Sequence, residues 1–356
     1  MSDPFVVVDA DVLGRRRTGD ETYVAGLLHA LPDAADGLRL AALTRRPELV
    51  PAGIEPVELR SRVQELRMAV RLPLLLRRLR PALVHFVHAL PPALPCPGVL
   101  TVQDLSFERD ASLMGRRETA IFRAVVPRSA ARARRVFAIS ERTKRDLVEL
   151  YGLPPEKVVV TPLAHDPAFS PAAEPPVRVS GPVEGARGNR ELPPREAEPY
   201  LLLVGAIEPR KDPLAAAEAA AHVGLPLVSV GPEKDAALAE AFGARGFTVE
   251  TEDELVELYR RAACLLFPTR YEGFGLPVAE ALATGTPVVA TPDAAVREVG
   301  GDAIVYAQPD EFADAVRRVL AERDRWARAA LERARLFSWD ETARRTVAVY
   351  REVLGA

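Results

Sequence analysis

Glu272 and Glu280 stand on either side of a Gly-Phe-Gly turn in the stretch PTRYEGFGLPVAEALATGTPVVAT, residues 268–291. The apolar spacing of Leu276, Val278, Ala279 and Leu282 predicts a helix over 276–283 that begins straight after the glycines. A helix start of this kind gathers backbone N–H groups and the positive end of the helix dipole, and both favour an anion. One carboxylate then sits in the loop above that terminus, and the other lies about two turns down the helix. This pattern suits a phosphate site with two carboxylates at different depths, for example one for a sugar and one for a ribose. Arg210 and Lys211 follow an expected strand over 200–204, and Gly273 and Gly275 follow another over 264–267, so both loops open onto the same sheet edge. Two cations and a helix N-terminus aimed at one point suit a diphosphate leaving group, which gains negative charge as its bond breaks. Taken singly, Arg210 and Lys211 read as a solvated pair and Glu280 as an ordinary helix residue. Their coincidence with the glycine turn favours a site.

The first half of the chain offers weaker candidates. Gly14 and Gly19 lie in the loop DADVLGRRRTGDE between an expected strand over 5–8 and an expected helix over 23–31, together with Arg15, Arg16 and Arg17. They are placed to approach a ligand at the carboxyl edge of an open sheet; turn glycines and solvated arginines are the plain alternative. His85, His88, Gln103 and Asp104 fall at the ends of two further strands, over 83–87 and 99–102, and core or rim positions are the safer reading of the two histidines. Cys96 and Cys264 fall in different halves, which disfavours a disulfide, fits a reducing compartment and leaves no cysteine cluster for zinc. The N-terminus lacks the basic stretch of a signal peptide. No uninterrupted apolar run reaches the roughly 20 residues of a membrane helix, so a cytoplasmic protein is expected.

The elements that must hold these residues alternate between strand and helix twice over. At 356 residues the chain is long enough for two cores. Its 48% hydrophobic and 27% charged content is that of a globular chain rather than a disordered one. Residues 1–170 form one α/β domain. Residues 171–199, dense in Pro, Gly and Glu, form a linker. Residues 200–335 form a second α/β domain, which includes a short strand expected over 247–249. The last segment, 336–356, is a helix started by Ser338 and expected to return to the first domain. Up to Ser170 there are 25 basic against 20 acidic residues, and beyond it 22 against 30. The first domain is therefore the one suited to meet an anionic surface or acceptor. Its Arg- and Leu-rich stretch over 57–80, expected to kink at Pro73, is either a surface helix of the sheet or a lipid-facing segment that buries Leu72, Leu74, Leu75 and Leu76.

Two successive open sheets suggest two Rossmann-like domains facing each other across a cleft. The chain also resembles the retaining GT-B glycosyltransferases of family 4, in their mannosyltransferase-like bacterial branch. The resemblance rests on the glutamates of EGFGLPVAE, on GAIEPRKD, ALATGTPVVAT, RTGDETYVAGLL, TVQDLSFERD and AISERTKRDLVELYGLPPEKVVVTPLAHDPAF, and on the closing FSWDETARRTVAVYREV. It implies a metal-independent, retaining hexosyltransferase without a cofactor. Such an enzyme would move a hexose such as mannose from a nucleotide-diphosphate sugar to a saccharide or lipid-linked acceptor. Glu272 would hold the donor sugar, Glu280 the ribose, and Arg210 with Lys211 the diphosphate. Gly205, Gly273, Phe274, Gly275 and Leu276 would complete the donor site, and Gly19, Gln103 and Asp104 would line the acceptor side. No nucleic-acid partner is implied, and peripheral membrane contact would run through the basic first domain. The sequence departs from the family pattern at Gln103, where a histidine is usual, and at Ala206, where many members carry arginine. A GT-B nucleotide-sugar epimerase, or a silent nucleotide-sugar-binding module, is the alternative.

Overall fold

The computed structural model describes residues 3–15, 19–61, 63–110, 115–171, 199–242 and 251–355. Arg16 and Arg17, nearly all of the expected linker and the strand expected over 247–249 lie outside the described residues. The chain divides into two compact units, Met1–Ala164 with Phe337–Ala356, and His165–Leu336.

The first unit is built on a parallel sheet of seven strands. These are β1 (Phe5–Asp9), β2 (Arg39–Thr44), β3 (Glu55–Glu58), β4 (Leu83–Val87), β5 (Gly98–Val102), β6 (Val136–Ala138) and β7 (Val158–Val160), in the order β3-β2-β1-β4-β5-β6-β7. The second unit has five parallel strands, β8 (Leu201–Val204), β9 (Leu227–Val230), β10 (Cys264–Phe267), β11 (Val288–Ala290) and β12 (Val305–Tyr306), in the order β12-β11-β10-β8-β9. Helices cover both faces of a parallel sheet, so its inner strands read as continuous apolar runs. Val6–Val8, Leu201–Val204 and Cys264–Phe267 are such runs, and all are buried. Each sheet reverses its strand order once, between β1 and β4 in the first unit and between β8 and β10 in the second. Crevices outside the carboxyl ends of open sheets form at such reversals.

Two elements differ from expectation. Glu55–Glu58 is an additional strand. It lies at the sheet edge and is mostly exposed, so it carries no apolar alternation, and Pro56 is tolerated there. The stretch over 57–80 stays helical on both sides of Pro73, which is the second residue of the helix Leu72–Leu79 and follows helical backbone at Arg71. The irregularity falls earlier, in a π turn over Arg67–Arg71. The wider turn lets Arg67, Leu72 and Leu76 all be buried. Leu72 and Leu76 therefore belong to the core of the sheet, and Leu74 is exposed.

The closing helix Trp339–Leu354, capped by Ser338 Oγ accepting from the Glu341 N–H at 3.1 Å, packs on the helix Gly19–Ala34. Tyr350 Oη lies 2.6 Å from His85 Nδ1, His85 Nε2 lies 2.7 Å from Thr101 Oγ1, and that hydroxyl lies 2.8 Å from Tyr23 Oη. Burial pushes His85 down to about 3, so it is a neutral member of a buried chain of hydrogen bonds and not part of a ligand edge. Gly26 carries the helix contact, because a Cβ there would sit 2.2 Å from the Trp339 indole. Replacing a mid-helix glycine by alanine ordinarily stabilises by about 0.5–1 kcal/mol. Gly26→Ala should instead destabilise by about 1–3 kcal/mol through overpacking, a reversal of sign that urea denaturation would detect.

Candidate functional site

In the second unit the reversal between β8 and β10 brings two loops together. After β8, Gly205 lies in a backbone conformation open to glycine (φ 140), and a Cβ there would stand 3.3 Å from Lys211 Cε. The chain then makes a short 3-10 turn, Pro209–Lys211. After β10 come Thr269, Arg270, Tyr271 and Glu272. The loops are tied through the backbone, with the Arg270 N–H donating to the Arg210 carbonyl at 2.9 Å, and through the Arg270–Asp212 ion pair at 3.1 Å.

Glu272 is the common acceptor. Its Oε1 takes a hydrogen bond from Lys211 Nζ, one from Arg210 Nη1 at 3.0 Å and one from Thr269 Oγ1 at 2.9 Å. Arg210 also donates to the Tyr271 carbonyl at 2.9 Å and to Glu208 at 2.8 Å. Lys211 is 8% exposed and Glu272 7%, and the ammonium stands 4.7 Å from the centre of the Phe267 ring. Burial would raise the Glu272 carboxyl, but the charges of Lys211 and Arg210 outweigh it and hold it below its ordinary value. Burial, joined by the charge of Arg210, holds Lys211 below its ordinary value despite Glu272. The arrangement places two cations and two carboxylates, Glu272 and Glu208, around one largely buried point.

Gly273, Phe274 and Gly275 follow, all buried. Gly275 (φ 104) caps the helix Leu276–Thr284, so the glycine turn opens a helix beside Glu272. Glu280 lies on that helix, half-buried, and accepts a hydrogen bond from Tyr259 Oη at 2.7 Å. Burial, and repulsion from Glu252 and Asp166, push its carboxyl up to about 7 against the opposing effect of the Tyr259 hydrogen bond. Arg210, Lys211 and Glu272 thus meet directly, while Glu280 forms a separate polar point with Tyr259. Thr269 and Tyr259 had not been singled out. Thr269 stands three residues before Glu272 and could have been suspected; Tyr259 comes from the helix Glu252–Arg261 and carries no local signal.

The first-unit candidates are placed differently. Arg15 pairs with Asp11, so a carboxylate meets its charge. Asp11 also takes Arg45 at 2.8 Å, and buried Arg67 bonds Asp9. Gly19 is the exposed first residue of its helix. Asp104 Oδ1 accepts from the Ser106 N–H and hydroxyl at 3.1 and 2.9 Å, which fixes the start of the helix Ser106–Arg109. Gln103 is buried at the end of β5. His88, after β4, lies 3.1 Å from Asp20. Burial alone would lower its pKa, but the charge and hydrogen bond of Asp20 and the charge of Asp104 outweigh it, so His88 sits above its ordinary value. Among the described residues no group of three or more His, Cys, Asp or Glu side chains could hold a metal ion, and no helix is long and apolar enough to cross a membrane. Cys96 and Cys264 are both free thiols.

Residues 198–322 match the family model described as Glycosyl transferases group 1, and residues 17–169 the one described as Glycosyltransferase Family 4. A D-inositol 3-phosphate glycosyltransferase of Acidothermus cellulolyticus is 33% identical over 239 residues, which cover 59% of this chain and 51% of that one. An O-antigen chain mannosyltransferase B of Escherichia coli is 27% identical over 246 residues, covering 62% and 61%. The chain thus spans about half the length of the curated relatives it matches. The crystal structure of Anabaena HepE in complex with UDP-glucose superposes with a TM-score of 0.67 at 12% identity, covering 98% and 99% of the two chains, and so shares the fold.

The raised Glu280 carboxyl has a consequence for stability. Below its ordinary 4.5 the group is protonated whether the chain is folded or not; between 4.5 and about 7 only the unfolded chain releases the proton. Its contribution to stability is therefore present at acid pH and is lost as pH rises through 7. Glu280→Gln should match the wild-type melting temperature below pH 4.5, gain on it as pH rises and level off above about 7. Parallel profiles in a pH series of thermal melts would contradict this.

Proposed function

The chain belongs to the family 4 glycosyltransferases of GT-B architecture, and on that premise we propose that it moves a hexose such as mannose from a nucleotide-diphosphate sugar to a saccharide or lipid-linked acceptor. Transfer retains the anomeric configuration and uses no metal ion. The observation that carries this reading is the convergence of Arg210 and Lys211 on Glu272 at the strand-order reversal of the second sheet. HepE, which shares the fold, is described in complex with UDP-glucose, and the Escherichia coli relative is a mannosyltransferase.

In this mechanism Arg210, Lys211 and the N-terminus of the helix Leu276–Thr284 neutralise the diphosphate. The bond between the anomeric carbon and the diphosphate oxygen breaks, and its electron pair stays on that oxygen. Preorganised cations act most strongly on such developing charge. The acceptor oxygen forms the new bond on the same face, and its proton passes to the departing phosphate oxygen, so no strong protein base is needed. Glu272 holds the sugar and stabilises the transition state. Glu280, with Tyr259 beside it, binds the ribose hydroxyls, and Gly205, Gly273, Phe274 and Gly275 line the donor site.

Glu272→Gln keeps the shape of the side chain and an acceptor for Thr269. It should lower transfer by about 10²–10³-fold, the scale on which loss of one preorganised electrostatic contact acts, while a cooperative thermal transition persists. A fully active variant would remove Glu272 from the mechanism. Incubation with donor alone is expected to give no epimer. Thermal-shift ranking of GDP-, UDP-, ADP- and dTDP-sugars would identify the donor, since a ligand of the folded state raises its stability.

A lipid-linked acceptor is supported by the surface of the first unit. Val63, Leu66, Val70 and Leu74 are exposed at one-turn intervals, and Arg60, Arg71, Arg77 and Arg78 are exposed around them. An apolar stripe flanked by cations suits an anionic bilayer surface. The protein should co-sediment with vesicles containing phosphatidylglycerol and not with pure phosphatidylcholine, and the double substitution Val70→Asp, Leu74→Asp should abolish this. Equal sedimentation of the variant would refute the contact.

A further inference from the structure

The chain leaves β1 for β2 and β3 and resumes at β4 on the other side of β1, so the first unit has its own reversal between β1 and β4. Two side chains meet beside it. Asp20 lies in the first turn of the helix that follows β1, and His88 immediately follows β4; Asp20 Oδ1 stands 3.1 Å from His88 Nε2. His88 is held there at a cost. Its backbone is left-handed, with φ 63, a conformation that disfavours a non-glycine residue and recurs where a side chain must be aimed. Its N–H donates to the Thr101 carbonyl of β5 at 2.8 Å, and its ring stands 5.8 Å from that of Phe122.

Two polar atoms at this edge are buried and, among the described residues, meet no hydrogen-bond partner. One is His88 Nδ1; the other is Nε2 of Gln103, an 8% exposed residue just past the end of β5. The strands are neighbours, with Val87 opposite Thr101, so the two atoms belong to adjacent strand ends. An unsatisfied buried polar atom disfavours a fold, and two at neighbouring strand ends can be met by one group of a ligand. That group can be named by its hydrogen-bonding capacity. In the neutral imidazole, with Asp20 accepting from the Nε2–H, Nδ1 presents a lone pair and the Gln103 amide presents a donor; protonation of His88, which Asp20 and Asp104 favour, removes that lone pair. One acceptor beside one donor matches a hydroxyl, which gives one hydrogen and receives one.

We propose that Asp20, His88 and Gln103 form a hydroxyl-binding site for a polyol or sugar, in which His88 Nδ1 accepts the hydrogen bond of one ligand hydroxyl, Gln103 donates to its oxygen, and Asp20 fixes the imidazole. The binding stands apart from the glycosyl-transfer reading above; on that reading the hydroxyl is one of the acceptor other than its nucleophile, whose proton passes to the departing phosphate. His88 and Gln103 touch the ligand, and Asp20 is a positioning residue.

The test uses the full chain labelled with 15N-histidine, with the His88 signals assigned by their absence in His88→Asn. Asparagine tolerates left-handed backbone and so should preserve the fold. Methyl α-D-mannopyranoside and myo-inositol are titrated separately. With at least one probe the His88 ring signals should shift saturably. Gln103→Leu and His88→Asn should each weaken binding at least about tenfold, equivalent to one strong hydrogen bond, with Asp20→Asn smaller in effect and all three variants folded by thermal melt. A purely structural role would produce no probe-dependent shift. No His88 shift with either probe, or binding unchanged in both Gln103→Leu and His88→Asn, would overturn the proposal. A wild-type protein that binds the probe but transfers nothing across an acceptor panel would refute the transfer reading and leave the site standing. Transfer with an unchanged acceptor KM in His88→Asn would show that the site does not hold the acceptor.

Discussion

The second unit is organised by one buried ion pair, Lys211 with Glu272. Taking two charges out of water costs several kcal/mol per ion, and the attraction between them repays this only with good geometry and further hydrogen bonds. Here those come from Arg210 and Thr269 on the same carboxylate oxygen and from the face of Phe267 beneath the ammonium. The partners stand on loops after β8 and β10, so the pair exists only because those strands are neighbours in the sheet although helices and β9 separate them in the chain. The cations, the carboxylate and the helix begun by Gly275 are consequences of that adjacency.

The first unit repeats the geometry and changes the chemistry. Its strand order also reverses, and polar residues collect at the carboxyl ends of β1, β4 and β5. The arginines near β1 pair with Asp9 and Asp11, as Arg210 and Lys211 pair with Glu208 and Glu272, so ion pairing is common to both edges and the first unit differs in what else it offers. What it offers is an imidazole, an amide and a carboxylate. Groups of that kind suit hydroxyls, whereas the cations of the second unit suit an anion.

Legibility followed how local the cause was. The helix after Gly-Phe-Gly, the Ser338 cap and the strand Cys264–Phe267 each follow from a few consecutive residues. The π turn at Arg67–Arg71 and the edge strand Glu55–Glu58 were not legible. The first is imposed by the need to bury Arg67 against Asp9 with Leu72 and Leu76 against the sheet; the second has no buried face to impose a period. Gln103 stood out as a strand-end residue and as a departure from a family pattern, and the strain and the orphaned nitrogen of His88 became visible only in the fold.

By itself the sequence determined the two alternating α/β units, the glycine turn that opens a helix, and the residue types gathered around it, because backbone propensity and apolar periodicity act over a few residues. It did not determine which of those residues share a point in space. The tertiary structure decided that Arg210 and Lys211 meet Glu272, that Glu280 instead meets Tyr259, that His85 is a core residue and that His88 meets Asp20. Each of these contacts joins positions far apart in the chain, and only the strand order and the packing of helices on the sheets bring such positions within hydrogen-bond reach.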